Sequence, residues 1–407
     1  MMRFKANLLL AALLTGAFCS SQEQQQPTTP DGIVHSIIDA IEKNYLQTRA
    51  NPFWNIARDA LLAGKYKDSA QVFQAAQKQL AFMQDSELNL LNPTEIAAVQ
   101  SVALGQKVGV GLADFCIDLE VDSGRARVIT PIMGSPAMHA GIQPHDVIVS
   151  IDDKQTSDMN HEQVMDGLRA PVEDGVKLKI QRAAKTLNVV LASSEEKLDV
   201  LHFEAKRVSS KSVGYIRVAL FTPDLGAAAR AAVAKLEQDG VDGYILDLRN
   251  DPGGFLNSAR DLAGLFTSGT LGYKLRGNGK KEAVETQGKP LTSKPVAVLI
   301  NAGTASASEF VAGALQGLKR ARLVGERSYG RGRAQIFMPL AEGYGIQIPA
   351  VELLNPDQKG FKGKGIDPDV EVKQPQLQET ELTGAKDRQF LAAVKSLTTD
   401  EHSAAKP

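Results

Sequence analysis

The apolar positions of this chain change period twice. Over residues 31–83 they recur at helical spacing: Ile33, Ile37, Ile38 and Ile41 share one face, Trp54, Ala57, Leu61 and Leu62 another. Residues 66–83 continue the pattern in an Ala- and Gln-rich stretch, and Asn92-Pro93-Thr94-Glu95 has the form of a further helix start. From 105 to 192 the period shortens to that of strands between turns, at 126–130, 146–152, 176–181 and 187–191, with a helix near 162–168. Between 201 and 375 strands and helices alternate. Residues 213–218, 244–248, 295–300, 323–324 and 334–339 read as strands, and 222–238 and 258–266 as helices, which predicts α/β layering. A last amphipathic helix at 387–397 puts Phe390, Leu391 and Val394 on one face, ahead of a polar tail. The expected fold class is multidomain α/β: a helical region at 31–103, a β-rich domain at 104–193, an α/β core at 200–375, and a C-terminal helix with tail at 376–407.

The first 20 residues read as a signal peptide. Arg3 and Lys5 supply positive charge, a short apolar run follows, and Cys19-Ser20-Ser21 offers small residues for cleavage. Residues 21–30 form a polar linker. Cys19 raises lipid attachment as an alternative to simple secretion, although Phe18 suits such a site poorly; membrane association depends on that modification. With Cys19 removed, Cys116 has no disulfide partner. The expectation is an exported protein of the bacterial periplasm or cell envelope. Across 407 residues, 46 basic side chains balance 47 acidic ones without long single-sign blocks, which argues against a nucleic-acid partner. No metal site and no cofactor is expected.

Candidate chemistry concentrates after two apolar runs. Residues 295–300 lead through Asn301-Ala302-Gly303 to Ser306-Ala307-Ser308-Glu309, where a helix opens. A serine at a strand–turn–helix junction sits among unpaired N–H groups, where a helix dipole favours an alkoxide or an oxyanion. Plain helix capping explains the same residues. The run VDGYILDLR ends in Asn250-Asp251-Pro252-Gly253-Gly254, and paired glycines after a strand can turn N–H groups toward a bound carbonyl oxygen. A simple turn is the competing reading.

In order, DLRNDPGG, GTASASE, GERSYGRGRAQ and GKGIDPDV resemble the carboxyl-terminal processing peptidases, or tail-specific proteases. The resemblance covers nearly the whole chain. It implies Ser306 as nucleophile, an oxyanion hole from Gly253, Gly254 and Ala307, and Gln335 orienting a lysine base. The lysine is absent: Arg331 stands in its place. A buried lysine can shed its proton near neutral pH, whereas a guanidinium with a pKa above about 12 cannot. No histidine falls between Phe203 and Glu401, which excludes a Ser-His-Asp triad built within the core. Lys319, Lys359, Lys362 and Lys364 are candidates for a displaced base.

SPAMHAGIQPHDVIVSID, at 135–152, resembles a peptidase-type PDZ domain, in which Gly109, Val110, Gly111 and Leu112 fall where a peptide's terminal carboxylate binds. His145 occupies a usual glycine position, and residues 170–175 depart from the family pattern. Asp247 and Arg249 suit structural pairing or substrate positioning. Two function classes follow. One is a serine endopeptidase that captures protein C-termini and cleaves envelope proteins. The other is a weak or inactive relative acting as a C-terminus-binding adaptor or regulator. A homo-oligomer and an adaptor partner are compatible with either.

Overall fold

The computed structural model describes residues 29–48, 50–97, 117–122, 125–159, 161–168, 175–192 and 198–397. The expected signal peptide, the expected carboxylate-binding residues Gly109–Leu112, Cys116 and residues 170–174 of the divergent loop lie outside these residues.

The chain begins with helices α1 (Pro30–Asn44), α2 (Trp54–Ala63) and α3 (Ser69–Phe82). Thr29 and Asp68 cap α1 and α3 through their side-chain oxygens. Ile33, Ile37, Ile41, Trp54, Ala57 and Leu61 are buried as the spacing predicts, while Leu62 is exposed. Strand β1 (Asn89–Leu91) follows. Next come β2 (Ile117–Asp122), β3 (Arg125–Pro131), α4 (Pro136–His139), β4 (Val147–Ile151), β5 (Lys154–Gln155), α5 (His161–Gly167), β6 (Val176–Arg182) and β7 (Lys185–Leu191). Their antiparallel sheet has the order β2-β3-β4-β6-β7, with β5 on β4 and β2 at one end.

The remaining elements are β8 (Leu201–Val208), β9 (Lys211–Val218), α6 (Leu225–Gln238), β10 (Gly243–Asp247), α7 (Leu256–Ala263), β11 (Thr270–Arg276), β12 (Lys281–Glu285), β13 (Val296–Ile300), α8 (Ala307–Gly317), β14 (Ala321–Gly325), β15 (Arg333–Pro339), β16 (Gly345–Leu354), β17 (Val370–Glu371) and α9 (Arg388–Ser396). The central sheet has the order β17-β14-β13-β10-β9-β8, parallel from β9 through β17. Its central strands β10 and β13 read as unbroken apolar runs because both faces are covered, whereas the edge strand β8 is half exposed. In β13, Val296, Val298 and Ile300 join the core that includes residues of α6, α7 and α8, whereas Ala297 and Leu299 face the cluster containing Phe390 of α9.

A further antiparallel sheet, β1-β16-β11-β12 with β15 on β16, joins parts of the sequence that read as separate. β1 pairs with β16, and α1–α3 share a core with Leu340, Ile346 and Ile348. The helical region is thus built onto the α/β core. The alternation pattern missed β11, β12 and β16: β11 and β12 form a local hairpin, and β16 joins that hairpin to β1 and β15. Helix α8 has every residue from Ala307 to Leu315 buried and contacts both β14 and β11. An all-round apolar helix is what such an interior position demands.

Candidate active site

The parallel strands β10, β13 and β14 end on the same side, and the expected site residues sit in the loops that follow, where open α/β sheets place ligands. Asn301 stitches two of these loops together. Its Oδ1 accepts from Asn250 N–H at 2.9 Å and Gly303 N–H at 3.0 Å, and its amide donates to Asn250 Oδ1 at 2.8 Å. Thr304 Oγ1 donates to Leu248 O at 2.8 Å, and Ala305 N–H donates to Asp251 O at 3.0 Å.

Ser306 stands at the N-terminus of α8 with φ 55° and ψ −117°, a conformation that side-chain-bearing residues rarely adopt and that costs about 1–3 kcal/mol. Its backbone N–H donates to Glu309 Oε2 at 2.9 Å. Gly253, at φ 95°, lies against this turn so closely that a Cβ would sit 2.6 Å from Ala307 N and 2.9 Å from Ser306 Cβ. No other residue fits there. Gly254, at φ 134°, is pressed equally hard against Phe221 O. The expected oxyanion groups are therefore gathered around Ser306. In this conformation, however, the Gly253 N–H donates to Asp251 Oδ1 at 2.8 Å rather than pointing free.

Glu309 joins the two halves of the site. Besides Ser306 N–H, its fully buried carboxylate accepts from Ser328 Oγ at 2.6 Å, Gly330 N–H at 2.7 Å and Arg331 N–H at 2.9 Å. Burial pushes the carboxyl up from its ordinary range, against those four bonds. Glu309 Oε2 thus holds the Ser306 and Arg331 backbones side by side. Sequence reasoning took this glutamate only for part of a cap. The signal was present: a glutamate three residues after the serine, in an otherwise apolar helix.

The Arg331 side chain leaves the site. Its Nη1 meets Asp118 Oδ2 of β2 at 2.6 Å, and the pair is largely buried. Burial opposes the guanidinium charge, but Asp118, with Glu87 and Glu120, outweighs it and holds the proton more firmly than usual. Strand β2 alternates: Ile117, Leu119 and Val121 belong to the β-rich domain's own core, so Asp118 and Glu120 face the other way. Glu120 accepts from Tyr329 Oη at 2.9 Å and Ser86 Oγ at 2.6 Å. His145, with φ 69°, stacks on the Tyr329 ring at 5.5 Å between centroids. This histidine reaches the 328–331 loop from the β-rich domain, outside the core stretch in which the sequence has none. Burial and the charge of Arg127 push its imidazole below the ordinary value, partly offset by Asp146.

Gln335 lies on β15 at a register shift, and its Nε2 is buried without a hydrogen-bond partner. Of the four candidate lysines, Lys362 comes to 3.4 Å from Glu87, beside Arg333. All four are exposed, which removes the burial that would make an amine a base. Asp247 and Arg249 pair structurally: Arg249 contacts Asp247 and also Asp387 at 2.9 Å, while Tyr215 Oη donates to Asp247 at 2.7 Å.

Comparison with known proteins agrees with this architecture. Residues 212–372 match the model for peptidase family S41, and residues 127–182 match a PDZ domain model. A carboxyl-terminal-processing protease of Synechocystis sp. is 33% identical over 363 residues, covering 88% of this chain and 84% of that protein. A second, from Picosynechococcus sp., is 32% identical over 362 residues, covering 86% of this chain and 84% of its own length. The solved photosystem II D1 C-terminal processing protease superposes with a TM-score of 0.72 at 25% identity, covering 92% of this chain and 98% of that one. With the PDZ sheet docked on the peptidase loops and this degree of shared sequence, the chain belongs to the S41 peptidases, in the carboxyl-terminal processing family.

Proposed function

We propose that this protein is an exported serine endopeptidase that captures protein C-termini through its PDZ domain and cleaves with Ser306 as nucleophile. The observation that carries the reading is the built turn at Ser306: a strained backbone, an N–H fixed by Glu309, and Gly253 in contact behind it. Such strain persists only where the surroundings hold it, and it clusters at reacting centres. In this scheme Ser306 Oγ attacks the scissile carbonyl and passes its proton to water, and the substrate's carbonyl oxygen becomes an oxyanion beside Ala307 N–H and Gly254 N–H, the Gly253 N–H being held by Asp251. Collapse expels the amine of the C-terminal fragment, which takes up a proton, and water then hydrolyses the acyl-enzyme. The charged start of the chain and the apolar run after it support delivery to the bacterial envelope.

A second reading is favoured by one specific contact. Arg331 cannot accept the serine proton, and its side chain is committed to Asp118. A protein that binds C-termini without efficient cleavage, as an adaptor or regulator, fits that arrangement. Incubating the mature chain and its Ser306→Ala variant with a disordered protein substrate separates the two. Cleavage lost in the variant supports the peptidase. Equal cleavage by both removes Ser306 from the mechanism, and no cleavage by either, with retained C-terminal peptide binding, favours the second reading.

A further inference from the structure

Asp251 carries a carboxyl group of which only one oxygen is bonded in the site. It is completely buried, between the end of β10 and the Ser306 turn. Its backbone oxygen holds Ala305 N–H at 3.0 Å, and its Oδ1 holds Gly253 N–H at 2.8 Å. A single residue therefore fixes both the nucleophile turn and the glycine pair. Its second oxygen, Oδ2, has no hydrogen-bond partner, and neither does Ser308 Oγ, the side-chain group beside it at the start of α8.

The charges around it offer no compensation. On the β10 side stands Asp247, another carboxylate, bonded to Tyr215 and Arg249. Arg249 is itself divided between Asp247 and Asp387. On the α8 side Glu309 is turned to Ser306 and the 328–331 loop. In the 301–305 turn, Asn301 is spent on Asn250 and Gly303. Among the described residues no cation reaches Asp251. An ionised carboxylate sealed away from water without a partner is costly, whereas a protonated one is merely a polar group.

We propose that Asp251 is a positioning residue of the active centre that works as a neutral acid, its Oδ1 holding the Gly253 N–H and its Oδ2–H engaging Ser308 Oγ to lock the glycine pair to the nucleophile helix. The proton gives Oδ2 a donor, and Ser308 Oγ supplies the acceptor. Burial favours that proton and outweighs the Gly253 N–H and Ser308 hydroxyl, which favour the ionised form, and the Asp247 charge adds to it, lifting the group well above the ordinary carboxyl range. The sign follows. Asp251 takes up a proton on folding, so its contribution is complete below the unfolded value near about 3.9 and is lost as pH rises through the folded value.

This inference rests on reading Ser306 with the glycine pair as the reacting centre, and the test keeps the two separable. Thermal midpoints of the wild-type chain and of Asp251→Asn are measured across pH, together with the rate at which a fluorophosphonate probe labels Ser306. Asparagine keeps an acceptor for Gly253 N–H and a permanent donor for Ser308. The gap between the two midpoints should widen steadily in favour of Asp251→Asn as pH rises. The wild-type labelling rate should fall by about tenfold per pH unit beyond the ionisation of Asp251, a limb that Asp251→Asn lacks. Parallel midpoint curves would overturn the proposal, as would an identical alkaline limb in both proteins. Diverging midpoints with no labelling at any pH would keep the neutral acid and remove Ser306 as the reactive group.

Discussion

Two segments meet at Glu309 and are held in opposite ways. The hydrogen bonds that fix the Ser306 turn come from within the peptidase core: Asn301, Thr304, Asp251 and Gly253 all belong to loops at the ends of its parallel strands. The 328–333 loop shares the same glutamate through its backbone and Ser328 Oγ, but the side chains of Tyr329, Arg331 and Arg333 are held from outside. Asp118 and Glu120 of the PDZ strand take Arg331 and Tyr329, and Asp85 and Glu87, at the end of the helical region, take Arg333. One half of the site is therefore a property of the core alone. The other half exists only while three regions of the chain stay together.

The largest expected effect tests what the second half lacks. Arg331→Lys should raise proteolytic activity by about 10²–10⁴-fold, the usual worth of a general base, because Ser306 and Gln335 already stand at the family spacing. An unchanged rate, still abolished by Ser306→Ala, would mean another base has taken over.

Removing the shared anchor should damage both halves at once. Glu309→Ala strands the N–H groups of Ser306, Gly330 and Arg331, each worth about 1–3 kcal/mol when left unsatisfied. A loss of at least about 3 kcal/mol in denaturant titration is expected. A loss below about 1 kcal/mol would show that water replaces the carboxylate and that Glu309 is no anchor.

A smaller effect isolates the PDZ contribution. Asp118→Asn removes a charge-assisted bond of about 1.5–3 kcal/mol. Amide exchange should quicken in residues 328–333 while the Ser306 turn keeps its protection. Equal protection of both segments in the variant would dissolve the distinction between them.

Much of the core was legible. β13 and α8 announced themselves because a strand covered on both faces and a helix buried all round must be apolar throughout. Ser306 was legible for the same reason, being a polar residue at the junction of two such runs. The strands β11, β12 and β16 were not. β11 and β12 form a hairpin of mixed polar and apolar residues, and β16 pairs across the chain, Glu352 with Leu275 and Gln347 with Asn89, which local alternation does not specify.

The sequence by itself determined the order of helical, PDZ and α/β regions, the turn around Ser306, and the loss of a titratable base at 331, since these depend on local period, backbone freedom and the chemistry of one side chain. Only the tertiary structure decided where the Arg331 charge goes, that His145 rests on Tyr329, and that Asp251 is sealed beside Ser308. Burial and pairing are set by residues dozens to hundreds of positions away, and the free energy of a charged group depends on that surrounding rather than on its neighbours in the chain.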